Sequence, residues 1–343
     1  MSRWSRLPAH TDLRRRLWAT IIGFGAVAAG AILLAPLVGS TRISLLHVFS
    51  RTTPFADNVD AQIFFLARLP RVLAAAIIGA SLAISGAVFQ ALLRNPLASP
   101  DTLGVSGGAA LGAMVAITFH IDVSVLGIPS IPLASFAGSI GALGIVYLLA
   151  TARRRGMSSM TLLLAGVALN AFFSALVLFV QYFADFAETF RSVRWLMGSL
   201  DVAGYTPIVA VIPLLALSAA GFATLPRALD LLSLGSDAAA VRGVDVRRTE
   251  RVALLSASLA TGASVSIAGP ISFVGIVVPH LVRLIVGADH RLVLPASALA
   301  GAALLVGCDV AARTLFSPLE IPVGVITALV GAPFFLYLLM RRS

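Results

Sequence analysis

Asp309 is the clearest acidic residue inside a long apolar run of this chain, which makes it the first candidate for chemistry. Arg313 follows four residues later, so both side chains would share one face of a helix. An ion pair between them would lower the cost of burying either charge in a membrane. A proton relay is the alternative. Because the apolar runs hold too few further carboxylates and histidines to continue a relay, the spacing favours a structural pair.

The other polar residues in apolar runs favour structural roles over catalysis. Gln90, Asn170 and Gln181 could line a cavity or bridge helices. His280 follows a proline and is more typical of a helix end than of a metal ligand. Cys308 is the lone cysteine, so the chain has neither a CxxC pair nor a Cys/His cluster. The sequence contains no nucleophile–base pair and no set of metal ligands, and it predicts neither an enzyme nor a metal site.

The composition is that of an all-α polytopic membrane protein. Of the 343 residues, 59% are hydrophobic and only 12% are charged, which is too little charge to cover a soluble protein of this length. The apolar residues fall in long runs, and about 20 of them suffice for a helix to cross a bilayer. All 25 basic residues are arginine, and most lie beside apolar runs. The net charge of +10 is therefore explained by arginines that set the orientation of the helices in the membrane, and it does not indicate nucleic-acid binding.

The apolar runs predict ten transmembrane helices in a single domain that covers residues 1–343. The third and eighth runs are short, but a bundle tolerates them because neighbouring helices satisfy the backbone. The ten runs cover residues 17–38, 70–93, 103–119, 131–151, 161–183, 205–225, 250–268, 271–286, 293–312 and 323–340.

The arginines predict that both termini are cytoplasmic, as the positive-inside rule requires. With this orientation, 18 arginines lie on the inner side, including those of a cytoplasmic N-terminal segment, residues 1–16. Seven lie on the outer side, which is more than topology needs and indicates that some have a partner. The outer arginines are Arg42, Arg51, Arg68, Arg71, Arg191, Arg194 and Arg313.

A short repeat indicates that the chain has two inverted halves. GASLAISG at residues 79–86 returns as GASVSIAG at residues 262–269, with five of eight positions identical. The first copy lies in span two and the second in span seven, so the two would run in opposite directions, as in many transporters. Close packing of helices through small residues would also explain the composition.

Residues 226–250 form the longest predicted inner connection and are rich in charge. Ser236 and Asp237 could cap a short helix over residues 238–242, and Gly243 could stop it. Such a helix at the membrane surface could dock a soluble partner; a structured surface loop is the alternative. The chain has no GxxxxGK[ST] loop, so an ATPase that drove transport would be a separate chain.

Several blocks, in order, resemble the FecCD family, which comprises permease subunits of ABC importers for iron-siderophores, haem and cobalamin. The resemblance covers about residues 65–343; the first 60 residues match only in pattern. The blocks read RLPR, GASLAISGAVFQALLRNPLASPDTLGVSGGA, TLLLAGVALN, LSLGSDAAAVRGV, GPISFVGIVVPHLVR, GADHRLVLPASALAGA, DVAAR and LEIPVGVITALVGAPFFLYLL. Asp101 departs from the family, because many relatives have glycine or a small apolar residue there.

The resemblance implies an inverted-repeat type II ABC importer permease in the inner membrane. It implies a second permease subunit, with a homodimer as the expected case, and a path lined largely by spans five and ten. It also implies two ATP-binding cassette subunits, which would use ATP and Mg, and a periplasmic or lipid-tethered binding protein. This chain itself would bind no cofactor. The cargo would be a metal chelate: an iron-siderophore, haem or cobalamin.

The resemblance also assigns roles to individual residues. The inner gate would comprise Asn95, Leu97, Ser158 and Ser159. The binding protein would dock on Arg68, Arg71 and Arg313, which would supply the partner of the outer arginines. The ATPase would dock on Leu234, Gly235, Ser236, Asp237, Ala239, Arg242 and Gly243.

An ion-coupled secondary transporter is the alternative function, since such transporters also use inverted repeats. It would require buried ionisable groups, for which Asp309 is the one candidate in the sequence.

Overall fold

The computed structural model of the protein describes residues 10–50, 53–125, 127–151, 159–202 and 204–342, and within these ranges it is helical without any extended strand. The long or apolar helices are α1 (His10–Leu34), α4 (Leu69–Leu92), α5 (Val105–Thr118), α6 (Ser130–Thr151), α7 (Ser159–Gln181), α9 (Thr206–Thr224), α12 (Val246–Ala268), α13 (Val274–Val286), α14 (His290–Thr314) and α15 (Val323–Arg342). The shorter helices are α2 (Leu45–Val48), α3 (Val59–Gln62), α8 (Phe186–Leu196), α10 (Pro226–Leu232) and α11 (Ser236–Val241).

The ten apolar helices agree with the ten predicted spans. In the described part of the chain, seven helices are long and apolar enough to cross a membrane. The other three, at residues 105–118, 274–286 and 323–337, are shorter and apolar. Two of these short helices, α5 and α13, are the third and eighth runs. They are mostly buried, so neighbouring helices surround them as expected.

Helix α4 lies at the centre of the bundle and packs against α12, α13 and α14. Glycines allow its backbone to touch two of these neighbours. A Cβ atom on Gly79 would lie 2.3 Å from the carbonyl oxygen of Gly301 on α14. A Cβ atom on Gly86 would lie 1.9 Å from the carbonyl oxygen of Gly275 on α13. These distances leave no room for a side chain, so the helices are locked together by backbone contact.

The packing of α12 mirrors that of α4, as the repeat predicts. Helix α4 contacts α13 and α14, which are spans eight and nine, and α12 contacts α5 and α6, which are spans three and four. Gly262 of α12, the counterpart of Gly79, lies against Ser139 of α6, whose Oγ would be 2.3 Å from an added Cβ atom. Four spanning helices lie between α4 and α12, so these two run in opposite directions and the two halves are inverted.

Helix α8 was not predicted from the sequence. Its N-terminus is closed by a capping box, in which Asp185 Oδ1 accepts from the Glu188 amide at 2.7 Å and Glu188 Oε2 accepts from the Asp185 amide at 2.8 Å. The helix is amphipathic and packs on α5, with Phe186 and Phe190 exposed. It is too polar to cross a membrane and follows the end of α7.

The bundle has two opposite ends, the docking end and the far end. The docking end carries residues 226–250, which we call the docking segment, together with the start of α14 and the loop after α4. Contacts between Arg94 and Ser236 and between Asp230 and His290 bring these parts together. The far end carries the start of α4, the end of α14 and residues 35–41 after α1.

Candidate functional site

The far end holds a chain of alternating charges built on Asp309. The Asp309 side chain is fully buried. Its Oδ2 lies 3.0 Å from Arg313 Nε, so the predicted ion pair is present. Its Oδ1 accepts a hydrogen bond of 2.8 Å from Arg71 Nε, a partner that the sequence did not reveal. Two arginines therefore neutralise Asp309, which is a structural arrangement and leaves no free carboxylate for a proton relay.

Arg71 also binds a second carboxylate on its outer side. Its Nη1 donates to Glu320 Oε2 at 2.6 Å. Glu320 lies in the loop between α14 and α15, and its side chain is 45% exposed, whereas that of Arg71 is 12% exposed. The guanidinium of Arg71 is thus held between a buried carboxylate and a carboxylate that solvent can reach.

The other two arginines predicted to bind a partner hold the segment after α1. Arg68 is buried and donates to the carbonyl oxygens of Pro36, at 3.0 Å, and Thr41. Arg313 is buried and donates to the carbonyl oxygen of Val38 at 3.1 Å. Both therefore have internal partners in this structure, and their docking role stays a prediction.

The three predicted docking arginines nevertheless share one cavity. It has a volume of about 340 Å³ and opens at the far end of the bundle. Its lining includes Arg68, Arg71 and Arg313 together with Asp201 and Glu320. The lining has three guanidiniums and two carboxylates, and the buried Asp309 beside Arg71 and Arg313 brings the whole cluster to balanced charge. Of the three arginines, Arg71 is the one bound by an exposed side chain, the carboxylate of Glu320, whereas Arg68 and Arg313 donate to backbone carbonyls. Because a surface side chain can rotate away, Arg71 is the one most open to exchange of partner.

The loop after α4 contains the predicted gate residues Asn95 and Leu97. Asn95 Oδ1 accepts from the Leu97 amide at 2.9 Å, which forms a tight turn, and the Leu97 side chain is exposed. Of the two serines predicted on the facing connection, Ser158 lies outside the described residues, and Ser159 is the first residue of α7. The gate role of all four stays a prediction.

Helix α7 is fixed to this loop by two contacts. Asn170 Nδ2 donates to the carbonyl oxygen of Asp101 at 2.7 Å, so Asn170 bridges elements. Gly166 lies against Thr102, whose carbonyl oxygen would be 1.8 Å from an added Cβ atom. The Asp101 carboxylate accepts from Ser106 Oγ, and burial raises the pKa of Asp101 above its usual range. The residue that departs from the family is thus part of the loop's own framework.

Gln90 and Arg283 bridge α4 and α13 near the docking end. Gln90 Nε2 donates to the carbonyl oxygens of Gly275 and Ile276, each at 3.3 Å. Its Oε1 accepts from Arg283 Nη1. The sequence left open whether Gln90 lines a cavity or bridges helices, and the structure shows a bridge. Gln181, the third polar residue of that group, reaches Met114 Sδ at 3.8 Å.

The docking segment contains α10, α11 and the first five residues of α12. Helix α11 covers Ser236–Val241, close to the predicted 238–242. The predicted capping was wrong: Gly235 is the N-cap residue, with φ 114°, and no side chain caps the helix. This conformation suits glycine, which has no Cβ atom to clash. Gly243, with φ 84°, ends the turn as predicted.

The predicted ATPase-docking residues divide into exposed and buried groups. Leu234 is exposed. Val241, which was not among the predicted docking residues, is more exposed still, at 89%. Ala239 is fully buried and supports the segment from below. Ser236 Oγ accepts from Arg94 Nη2 at 3.1 Å, so it faces the loop after α4. The surface open to a partner therefore comprises chiefly Leu234 and Val241; Asp237, Arg242 and Gly243 surround it.

Helices α7 and α15 expose wide apolar faces. Leu164, Val167 and Phe172 are exposed on α7, and Leu329 and Leu336 on α15. These are spans five and ten, which the resemblance assigns to the path. A single chain leaves both faces uncovered by protein.

Comparison with known proteins gives consistent matches. The sequence profile of the FecCD transport family matches residues 27–341. The cobalamin import system permease protein BtuC of Halobacterium salinarum is 46% identical over 276 residues, which cover 80% of this chain and 73% of that protein. The hemin transport system permease protein HmuU of Yersinia pestis is 39% identical over 316 residues, which cover 91% of this chain and 93% of that protein.

A solved structure described as an inward-facing conformation of a metal-chelate type ABC transporter has the same fold. It superposes with a TM-score of 0.80 at 34% sequence identity, covering 94% of this chain and 98% of that one. The family match spans the charged cluster of the far end, the loop after α4 and the docking segment, so all three candidate sites lie within it.

Proposed function

This chain belongs to the FecCD transport family, and we propose that it moves a metal chelate from a binding protein across the inner membrane to the cytoplasm. It is a permease subunit of an ABC importer and not an enzyme; ATP is hydrolysed in a separate subunit. It is a membrane protein with multiple spans. The proposed orientation puts the docking end and both termini in the cytoplasm, because 18 of 25 arginines then lie inside.

The bond between Arg94 and Ser236 carries the mechanistic proposal. It joins the docking segment, on which the ATPase would bind, to the residue directly before the proposed gate residue Asn95. A displacement of α11 by the ATPase would therefore pull on the loop that closes the path. ATP binding would change the distance between two docking segments, one on each permease, and the gates would open or close with them.

A second copy of this chain is the proposed partner across the path. The exposed apolar faces of α7 and α15 support this, since a permease dimer would cover part of them and leave the rest to line the path. A path lined mainly by apolar side chains holds a bulky chelate weakly, and weak binding favours release. No cofactor is proposed for this chain; ATP and Mg would bind to the ATPase.

The proposed class of cargo rests on the chemistry of the ligands that related permeases carry. The relatives named above are permeases for cobalamin and hemin, which are both large metal chelates. We propose the same class here: an iron-siderophore, haem or cobalamin. The binding protein would deliver the cargo at the far end. There, carboxylates of the binding protein could enter the cavity around Arg71 and accept paired hydrogen bonds from its guanidinium.

Transport in proteoliposomes tests the function. The permease is reconstituted with its ATPase and binding protein, and uptake of iron-hydroxamate, haem and cobalamin is measured with ATP on the side of the docking end. We expect uptake of one class that requires both ATP and the binding protein. Uptake that follows a proton or sodium gradient without ATP would instead establish the secondary transporter. The pairing of Asp309 with two arginines argues against that outcome.

A further inference from the structure

A groove runs along the outside of the bundle between α1 and the junction of α13 with α14. Its volume is about 450 Å³. Helix α1 contributes one wall, which includes Ala19, Gly23 and Val27. Ile285 and Val286 lie on the other wall. The groove is thus apolar along most of its length. It lies on the most exposed of the seven long spanning helices, since only 6% of the residues in the apolar stretch of α1 are buried.

Gly23 keeps the groove open. A Cβ atom added to Gly23 would have no atom within 4 Å, so the space above it is free. Gly25 and Gly30 of the same helix are equally unobstructed, but neither lines the groove. None of these three glycines is required by close packing. Only at position 23 would a larger side chain occupy the groove.

Arg16 stands at the docking end of the groove. One of its five N–H donors binds the carbonyl oxygen of Val286 at 3.0 Å, which fixes the guanidinium beside the end of α13. Arg14 and Arg15 precede it and are also exposed, but neither lines the groove. Asp289, the acidic residue at the start of α14, is held by Arg291 through bonds of 2.9 and 2.7 Å, so its charge is already balanced. This end of the groove is therefore positive.

The length of the groove matches one leaflet of a bilayer. Eleven residues separate Arg16 from Val27, which corresponds to about 16 Å along a helix. Half of the hydrocarbon core of a bilayer is about 15 Å. Trp18 lies beside Arg16 and is exposed, and tryptophan is enriched at the level of the lipid headgroups. The charged end thus lies at headgroup depth and the apolar part at the depth of an acyl chain.

We propose that this groove binds one anionic phospholipid, with its phosphate on Arg16 and an acyl chain over Gly23 toward Val27. The proposal does not depend on the cargo or on the ATPase. It is a second ligand site, on the periphery of the subunit and away from the apolar faces of α7 and α15. Arginine-bearing pockets between spanning helices are suited to acidic headgroups, because the guanidinium binds phosphate through paired hydrogen bonds.

Native mass spectrometry of the purified full chain tests the site. Delipidated protein in mild detergent is titrated with phosphatidylglycerol and, separately, with phosphatidylcholine of the same acyl chains. We expect one phosphatidylglycerol molecule to bind about fivefold more tightly than phosphatidylcholine. Both lipids carry the phosphate, but the quaternary ammonium of choline adds a positive charge that Arg16 repels, so only phosphatidylglycerol presents a net negative headgroup. The variants are Arg16→Gln, which removes the charge, and Gly23→Leu, which fills the groove but leaves Arg16 in place. Arg15→Gln and Gly30→Leu are their matched controls.

Arg16→Gln should abolish the preference for phosphatidylglycerol, and Gly23→Leu should abolish the tight binding of either lipid. Both controls should behave as wild type. Equal affinity of the wild type for the two lipids, or wild-type binding by Gly23→Leu, would overturn the proposal. A Gly23→Cys variant that forms a disulfide-linked dimer in membranes would also overturn it, because a second copy of the chain would then cover the groove.

Discussion

Asp230 and His290 join the docking segment to the start of α14. The carboxylate of Asp230 accepts the backbone N–H of His290 at 3.0 Å and lies 2.6 Å from the ring nitrogen Nδ1. His290 is buried, so this pair anchors α10 directly on a spanning helix. Any movement of the docking segment is therefore passed to α14 as well as to the loop after α4.

Replacing Asp230 with alanine should loosen this anchor. The substitution leaves two donors of His290 without their acceptor, and an unsatisfied buried group costs about 1–3 kcal/mol. We expect a lower thermal midpoint of the detergent-purified permease and weaker retention of the ATPase during purification. Asp122→Ala, at an exposed position, is the control and should leave both unchanged. A midpoint equal to that of the wild type would show that the pair does not anchor the segment.

Arg94→Gln and Ser236→Ala should uncouple ATP hydrolysis from transport. Each removes the bond that connects the docking segment to the loop after α4. Because the ATPase would still bind to Leu234 and Val241, hydrolysis should persist, while cargo moved per ATP falls several-fold. The measurement is the ratio of uptake to hydrolysis in proteoliposomes. Arg251→Gln removes a charge from the start of α12 and serves as control. An unchanged ratio in Arg94→Gln would rule out this bond as the coupling element.

Asp309→Ala should destabilise the far end strongly. The substitution leaves Arg313 buried and removes the inner partner of Arg71, and breaking a buried ion pair costs about 3–5 kcal/mol. Asp201→Ala is the matched control, since Asp201 pairs with Arg194 at the surface, where such pairs contribute about 0–1 kcal/mol. Thermal unfolding of both variants gives the comparison. Similar midpoints for the two would mean that the cluster is not a structural core.

Glu320→Gln should strengthen docking of the binding protein. In this structure Glu320 occupies the outward side of Arg71, so a carboxylate of the binding protein must displace it. Without the charge of Glu320, we expect the affinity to rise several-fold. Raised salt should weaken the complex, because salt screens charge pairs that solvent can reach. Surface plasmon resonance with the purified complex measures both.

Asp201→Asn controls for the charge change, because it removes one negative charge from the same cavity without touching Arg71. It should raise the affinity less than Glu320→Gln does. If Arg71→Glu leaves docking unchanged, Arg71 is not part of the interface, and the bond to Glu320 serves only the fold.

The spanning helices were predictable because each is specified by its own residues. A run of apolar residues is sufficient for a helix in a bilayer, and this holds even for the short α5 and α13. The pair of Asp309 and Arg313 was predictable for the same reason, since a spacing of four residues on one helix places two side chains on the same face. Gly243 likewise ends its turn through its own conformational freedom.

Contacts between distant parts of the chain could not be read from the sequence. Arg71 reaches Asp309 across 238 residues, and Arg283 reaches Gln90 across 193. Neither motif spacing nor hydropathy reports such a pair. Helix α8 was missed because its apolar residues alternate with charged ones and form no run. The capping of α11 was misjudged because the helix begins two residues earlier than predicted, so Ser236 and Asp237 lie in its first turn and Gly235 takes the N-cap position.

Helix α4 has a mechanical consequence that follows from its two ends. It carries Arg71 near the far end and leads into Arg94 at the docking end, about 35 Å away along a continuous helix. Backbone contacts through Gly79 and Gly86 hold it against α14 and α13, so it is a rigid helix that transmits a displacement from one end to the other. If binding at one end changes the affinity at the other, the same free energy acts in both directions, because linkage is reciprocal. Binding of a loaded binding protein at the far end and binding of the ATPase at the docking end would each change the affinity for the other through this helix.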